Sequence, residues 1–435
     1  MASTYHPKTE HCKTKKKSKL SFIDTTSMAV GGMIGGGIFS VLGTSIDLAG
    51  NLAFASFILG GIIALLTAKS YTLLTLESKK SGGPFTYLTK LGYKKTGAIT
   101  SWLLIFGYIL ALAVYAFTFG HYAANLLNSS EILARALSVL VIAIFFAINI
   151  RGVSTSAITE NIIVFIKVAI LGIVSIIGFL HFTEARFTPL SNSGYLSIFL
   201  AATSIFIAFE GFELLPYDYD DIENPQKNLP KAMYTSVIIV TLIYVVVTLG
   251  SQMLVSNSLI ASQNETAFIA IGQEALGVFG KILAVIAALL ATSSAVNATL
   301  FSTARQIHDI AKAGELPRIF SKDKNGLPKN AIGMLAGLGV VFSLLPNVIT
   351  LLTFGSMVFL FILAIVNFLS ISVATKFRDK TFATIGFLGC FASLVALIIE
   401  LITNDHSTLM LVLACFVAIG ILRLVFVKRF KPRAS

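Results

Sequence analysis

About a dozen runs of roughly 20 mostly apolar residues follow one another along this chain, and that repetition constrains the fold more than any single motif. A helix rises about 1.5 Å per residue, so each run matches the roughly 30 Å hydrocarbon core of a bilayer. Twelve spans are expected, at roughly 22–46, 53–77, 97–126, 131–150, 158–182, 195–217, 231–255, 277–305, 331–346, 348–375, 381–402 and 408–428. Only 12% of the residues are charged, about half the share of a soluble domain. The expected fold class is an all-α integral membrane protein with short loops and no compact soluble domain.

The basic residues set the orientation. Of 33 Lys and Arg, 28 fall in the two tails and in alternate loops, and only Arg135, Arg186 and Lys281 fall in the opposite loops. Basic residues accumulate on the cytoplasmic side, so both termini are expected in the cytoplasm, with an even number of spans. The same distribution accounts for the net charge of +12 through contact with anionic headgroups. No basic, aromatic-studded soluble face exists to bind nucleic acid. Cys12, Cys390 and Cys415 are far apart and have no CxxC spacing, so neither a disulfide framework nor a zinc site is supported, and no cofactor or resident metal is expected. Compact loops and short tails point to a prokaryotic plasma membrane (inner membrane).

Interrupted spans are the informative places, because hydrocarbon tolerates free backbone groups only in protein interiors or at cavities. Span 1 carries Gly31, Gly32, Gly35, Gly36 and Gly37 near its middle. Gly31/Gly35 and Gly32/Gly36 each satisfy the GxxxG pattern of close helix packing. Three consecutive glycines exceed that need and favour an unwound segment, whose N–H groups and half-helix dipole would hold an anionic group. Span 6 reads Phe206-Ile-Ala-Phe209-Glu210-Gly211-Phe212-Glu213, placing carboxylates beside a glycine. Glu213 also fits the span's cytoplasmic end; Glu210, about halfway along, is expected to line a cavity. Interruptions five spans apart are the mark of an inverted repeat, in which the two broken midpoints meet at the bilayer centre.

Lys167 lies roughly 14 Å from either end of span 5, too far for its stem to reach water easily. Desolvation penalises the charged form of such a group, so Lys167 is a candidate proton carrier. The bland alternative is a permanently paired structural lysine, with Glu210 as a partner. Lys69, near the inner surface, is expected to snorkel. Span 8 contains Thr292-Ser293-Ser294, whose hydroxyls suit either interhelical hydrogen bonds or cation coordination.

These residues resemble those of the amino acid–polyamine–organocation transporters over spans 1–10. The similar segments are Gly31-Gly-Met-Ile-Gly-Gly-Gly-Ile-Phe39, Lys80-Ser-Gly-Gly-Pro84 before Tyr87, and Phe209-Glu-Gly-Phe-Glu213 followed by Glu223-Asn-Pro225 and Leu229-Pro-Lys231. Asn297-Ala-Thr299, Arg305 and Ala313-Gly-Glu-Leu-Pro317 complete the set. The resemblance implies a five-plus-five inverted-repeat (LeuT-like) core with broken helices 1 and 6, and an amino acid bound between spans 1, 3, 6, 8 and 10. It implies that the substrate carboxylate meets the N–H groups of Gly35, Gly36 and Gly37, with Ile34 in the same segment. The α-amine would meet carbonyls near Met33, Ile207 and Glu210. In proton-coupled members a span-5 lysine stands where sodium sits in others, so Lys167 is expected to face the Gly31 carbonyl and Ser293 or Ser294. Glu210 is acidic where many members are apolar, which disfavours anionic substrates and favours neutral or cationic ones. Tyr108 or Phe206 is expected to close over the substrate.

The domain boundaries that follow are a basic cytoplasmic tail over 1–20, a transport core over 21–376 with repeats at about 22–182 and 195–376, and two peripheral helices with a basic tail over 377–435. The expected function is secondary active amino acid transport by proton-coupled, sodium-independent symport through alternating access. An exchanger on the same scaffold is the alternative, followed by a non-transporting amino acid receptor. An enzyme is not expected: there is no HExxH or GxSxG, and His121, His181 and His308 are scattered.

Overall fold

The computed structural model describes residues 19–127, 129–152, 157–182, 194–323 and 327–430. The tail over 1–18, with Cys12, and also Arg186 and residues 431–435 lie outside the described residues. Among those described there is no β-sheet. The helices are α1 (Phe22–Ala49), α2 (Ala53–Ser78), α3 (Pro84–Lys90), α4 (Lys94–Leu126), α5 (Glu131–Ile150), α6 (Ala157–Leu180), α7 (Leu196–Ser204), α8 (Pro225–Leu254), α9 (Asn257–Gln263), α10 (Ala267–Lys312), α11 (Lys329–Ser343), α12 (Val348–Val373), α13 (Phe377–Asn404) and α14 (His406–Phe430).

Among the described residues, nine continuous stretches are long and apolar enough to cross a membrane. One of them, Phe22–Ser78, has 57 residues, far beyond one crossing, and is divided into α1 and α2 at Gly50 (φ 56°). Helix α7 and the 3-10 segments that follow it form a bent span, and the 15-residue α11 is a shorter apolar helix. With the bent pair taken as one span, the described residues hold up to ten such stretches, and twelve is reached only by dividing Phe22–Ser78 and adding the short α11.

Helix α1 starts cleanly because Ser21 and Asp24 form a capping box: the Asp24 N–H donates to Ser21 Oγ at 3.2 Å and the Ser21 N–H to Asp24 Oδ2 at 3.0 Å. It then runs through the centre of the molecule, against α6, α8, α10 and the bent span. Nearly every residue from Ala29 to Ile46 is buried. Helices nearer the outside show one apolar face outward. On α6, Ile158, Ile162, Phe165, Ile173 and Ile176 are exposed, while Val164, Lys167, Leu171 and Val174 point inward. An exposed apolar stripe of that length suits lipid rather than water. Helix α13 packs on α12 and α2, and α14 touches α4, α12 and α13 with few buried side chains. Lys69 reaches from α2 to Asp379 at the start of α13, at 2.8 Å, and lies over the Phe382 ring.

One expectation is corrected here. Span 1 is not broken: α1 is α-helical through Gly31–Gly37. The helix-propensity penalty of its glycines is offset by the close approach of five different neighbours, described next.

Candidate functional site

The break in span 6 is real and has visible supports. Helix α7 ends at Ser204, a 3-10 turn covers Phe206–Phe209, Glu210 is extended (φ −64°, ψ 138°), and a second 3-10 segment runs from Phe212 to Asp221. The two halves meet at 59°. Gly211 sits at the pivot with φ 135°, a conformation that side chains rarely allow. A Cβ there would also lie 2.7 Å from the Met33 nitrogen of α1. Freed backbone groups find side-chain partners. The Ile207 N–H donates to Ser356 Oγ at 3.0 Å, and that hydroxyl donates to the Ser204 carbonyl at 2.9 Å. The Gly211 N–H donates to Glu213 Oε2 at 2.8 Å. The Tyr244 hydroxyl lies between the Met33 carbonyl (2.6 Å) and the Ala208 carbonyl (2.8 Å), joining α1 to the break. At the far end, Leu20 exchanges backbone hydrogen bonds with Asp221 and Glu223, both 2.9 Å.

The glycines of α1 each admit a neighbour. The backbone of Gly211 lies against Gly32, Ala295 of α10 against Gly35, the Tyr115 ring of α4 against Gly36, and the Tyr244 hydroxyl with the Ala208 carbonyl against Gly37. Because the helix is continuous, the N–H groups of Gly35, Gly36 and Gly37 are not presented as an open cradle for a carboxylate in this structure. Ile34 is fully buried, and the Met33 carbonyl is already met by Tyr244.

Helix α6 brings Lys167 to the same helix. Its side chain is completely buried, and Nζ donates to the Gly31 carbonyl at 3.0 Å. Ser294 of α10 does not meet Lys167; its hydroxyl donates to Glu160 Oε1 at 2.6 Å, and Ser293 is half-buried beside it. Glu160 Oε1 in turn lies where a Cβ on Gly31 would stand, 2.5 Å away.

The third cluster surrounds Glu210. It is buried, and the Tyr115 hydroxyl points to its Oε2 at 3.5 Å. Glu210 and Glu213 line a small void with Phe206, Phe209, Phe212 and Phe359. Tyr108 is buried, stacks edge-on with Phe359 at 5.6 Å, and its hydroxyl has no hydrogen-bond partner among the described residues. Ile207 packs against Gly355. Beyond Glu213 toward the 78–96 loop lies a larger cleft of about 80 Å³, lined by Ser81, Gly83, Tyr217, Asp218, Arg305 and Gln306. Arg305 and Asp218 face each other there at 3.7 Å.

A buried lysine against the central helix, two buried carboxylates at a helix break and a membrane-length shell describe a solute carrier. The amino acid permease family matches residues 20–428, nearly the whole chain. The chain belongs to that family. An uncharacterised protein of Methanocaldococcus jannaschii is 31% identical to this permease over 97% of it and 98% of the relative. The methylthioribose transporter of Bacillus subtilis is 26% identical over 74% of each chain. Asc-type amino acid transporter 1 of Mus musculus is 26% identical over 79% of the permease and 68% of the transporter. The permease is therefore an amino acid transporter of the amino acid–polyamine–organocation superfamily and not an enzyme.

Four residues packed around α1 and the break escape a reading of the sequence. Tyr115 lies seven residues after Tyr108, on the same face of α4, which was the available signal. Glu160 lies seven residues before Lys167, again on one face. Tyr244 is hidden inside an apolar run, and Ser356 is one serine in a hydrophobic helix. Nothing in their local sequence marks either of these two.

Proposed function

We propose that this permease is a secondary active, sodium-independent amino acid transporter of the plasma membrane that couples uptake to protons by alternating access. The observation that carries this reading is Lys167, fully buried and donating to the Gly31 carbonyl at 3.0 Å. A cationic head there occupies the space between α6 and α1 that a coupling cation would otherwise need. Loss of its proton removes the charge and weakens the hold of α6 on α1, since hydrogen bonds to ionised groups are the stronger ones. The substrate is a neutral or cationic amino acid, held near the span-6 break. Glu210 and Glu213 suit its ammonium group and oppose a second negative charge, Phe206 borders the same space, and Tyr108 packs behind it on Phe359. The cleft at Arg305 and Asp218 is the exit toward the cytoplasm. The skew of 28 basic residues against three supports a cytoplasmic position for both termini.

The test is uptake of a labelled amino acid mixture into proteoliposomes, empty or preloaded, with and without an inward proton gradient. Gradient-driven accumulation in empty vesicles, made pH-independent by Lys167→Ala, is the expected result. Unchanged pH dependence in Lys167→Ala removes Lys167 as the coupling site. The same buried lysine also suits an exchanger in which a fixed charge stands for the cation; uptake only into preloaded vesicles selects that reading.

A further inference from the structure

Glu160 has no task in the reading above, yet it is built into the same junction. On α6 the inward face runs Glu160, Val164, Lys167, Leu171, Val174. Side chains on a helix lean toward its N-terminus, so the Lys167 stem points back along this face toward Glu160. The two charged heads converge on one residue. Lys167 Nζ is 3.0 Å from the Gly31 carbonyl, and Glu160 Oε1 stands 2.5 Å from where a Gly31 Cβ would be. Ser294 fixes that oxygen from α10 at 2.6 Å.

Burial falls along the same line: Lys167 is wholly enclosed and Glu160 is half-buried. One residue on, Asn161 Nδ2 donates to Asp24 Oδ1 at 2.9 Å, beside the capping box at the start of α1. Among the described residues, few other charged groups lie near Glu160 on the elements packed around it. They are Lys167 on its own helix and Asp24 on α1; α10 offers the Ser294 hydroxyl, and α8 brings Lys227 and Lys231 only in its exposed first two turns.

We propose that Glu160 is the proton acceptor for Lys167 on the cytoplasmic side, the residue through which the coupled proton leaves. The proton crosses between the two heads through water: an N–H bond of the Lys167 ammonium breaks, water carries the proton, and an O–H bond forms on Glu160, leaving an amine and a carboxylic acid, both neutral. The acid then gives its proton to water at the start of α6 and returns to carboxylate. This inference rests on the proton-coupled reading of Lys167. It assigns the glycine at position 31 a second purpose, since any side chain there would displace the acceptor.

The full chain carrying Glu160→Gln or Glu160→Asp is reconstituted and compared with wild type in two assays. One is gradient-driven accumulation at internal pH 6 to 8.5 (about the range that brackets neutrality). The other is counterflow of a preloaded amino acid, which needs no net proton movement. Glutamine keeps an oxygen for Ser294 but cannot take a proton. Its expected signature is counterflow near wild type with accumulation lowered by at least about ten-fold, the lower end of what a positioned proton-transfer group supplies. Aspartate is expected to recover part of the accumulation, with a displaced pH profile. Wild-type accumulation in Glu160→Gln at every pH overturns the assignment, and so does equal loss of accumulation and counterflow in both variants. Lys167→Ala, measured in parallel, separates the two ideas. If it loses pH dependence while Glu160→Gln accumulates normally, only the relay falls. If it keeps wild-type pH dependence, the coupling reading beneath the relay falls as well.

Discussion

Gly211→Ala tests how the span-6 break is held. Two separate terms oppose the substitution. Gly211 has φ 135°, and holding an alanine there costs about 1–3 kcal/mol of backbone strain. Its Cβ would stand 2.7 Å from the Met33 nitrogen and 3.0 Å from the Gly32 carbonyl carbon, both backbone atoms of a buried helix that cannot step aside locally. Overpacking of that kind adds about 1–3 kcal/mol. The sum, about 2–6 kcal/mol, is a large part of the stability typical of a folded protein. Gly277→Ala in α10 isolates the first term, because Gly277 also has positive φ (62°) but nothing lies within 4 Å of its Cβ position. The assay is the temperature at which half the purified protein leaves the monodisperse gel-filtration peak, paired with vesicle uptake. Gly211→Ala is expected to melt well below Gly277→Ala and to lose uptake. Equal melting of the two variants would refute the view that close approach of the break to α1, and not backbone conformation alone, demands glycine at 211.

Two further outcomes follow from the same contacts. Tyr244→Phe keeps the ring against Phe57 and Phe209 but leaves the buried Met33 and Ala208 carbonyls without their hydroxyl, and is expected to destabilise by about 1–3 kcal/mol in the same melting assay. Asp379→Asn, which breaks the partly exposed pair with Lys69, is expected to lower stability by under about 1 kcal/mol, with an effect that shrinks further in high salt.

The membrane class was legible from composition because a bilayer offers the backbone no water, so each crossing must be long, helical and apolar. The same rule made the Glu210-Gly211 interruption visible, and Lys167 was conspicuous as a charge far from either end of its span. The glycines of span 1 were ambiguous for a physical reason. Glycine both lowers helix propensity and admits close neighbours, and the sequence of α1 alone does not say which property is used. Tertiary structure decides it: Gly32 receives Gly211, Gly35 receives Ala295, Gly36 receives Tyr115, and the helix stays whole. Lys69 shows a smaller case of the same kind, since the snorkelling side chain finds Asp379, which is over three hundred residues away in sequence. Glu160 was written on the same helix face as Lys167, but its meeting with Ser294 and Gly31 exists only once α1, α6 and α10 are packed together. What the sequence by itself determined is the solvent each segment tolerates and where a span is interrupted. Which distant side chain fills each interruption was decided by packing, because short-range contacts between remote segments leave no local pattern to read.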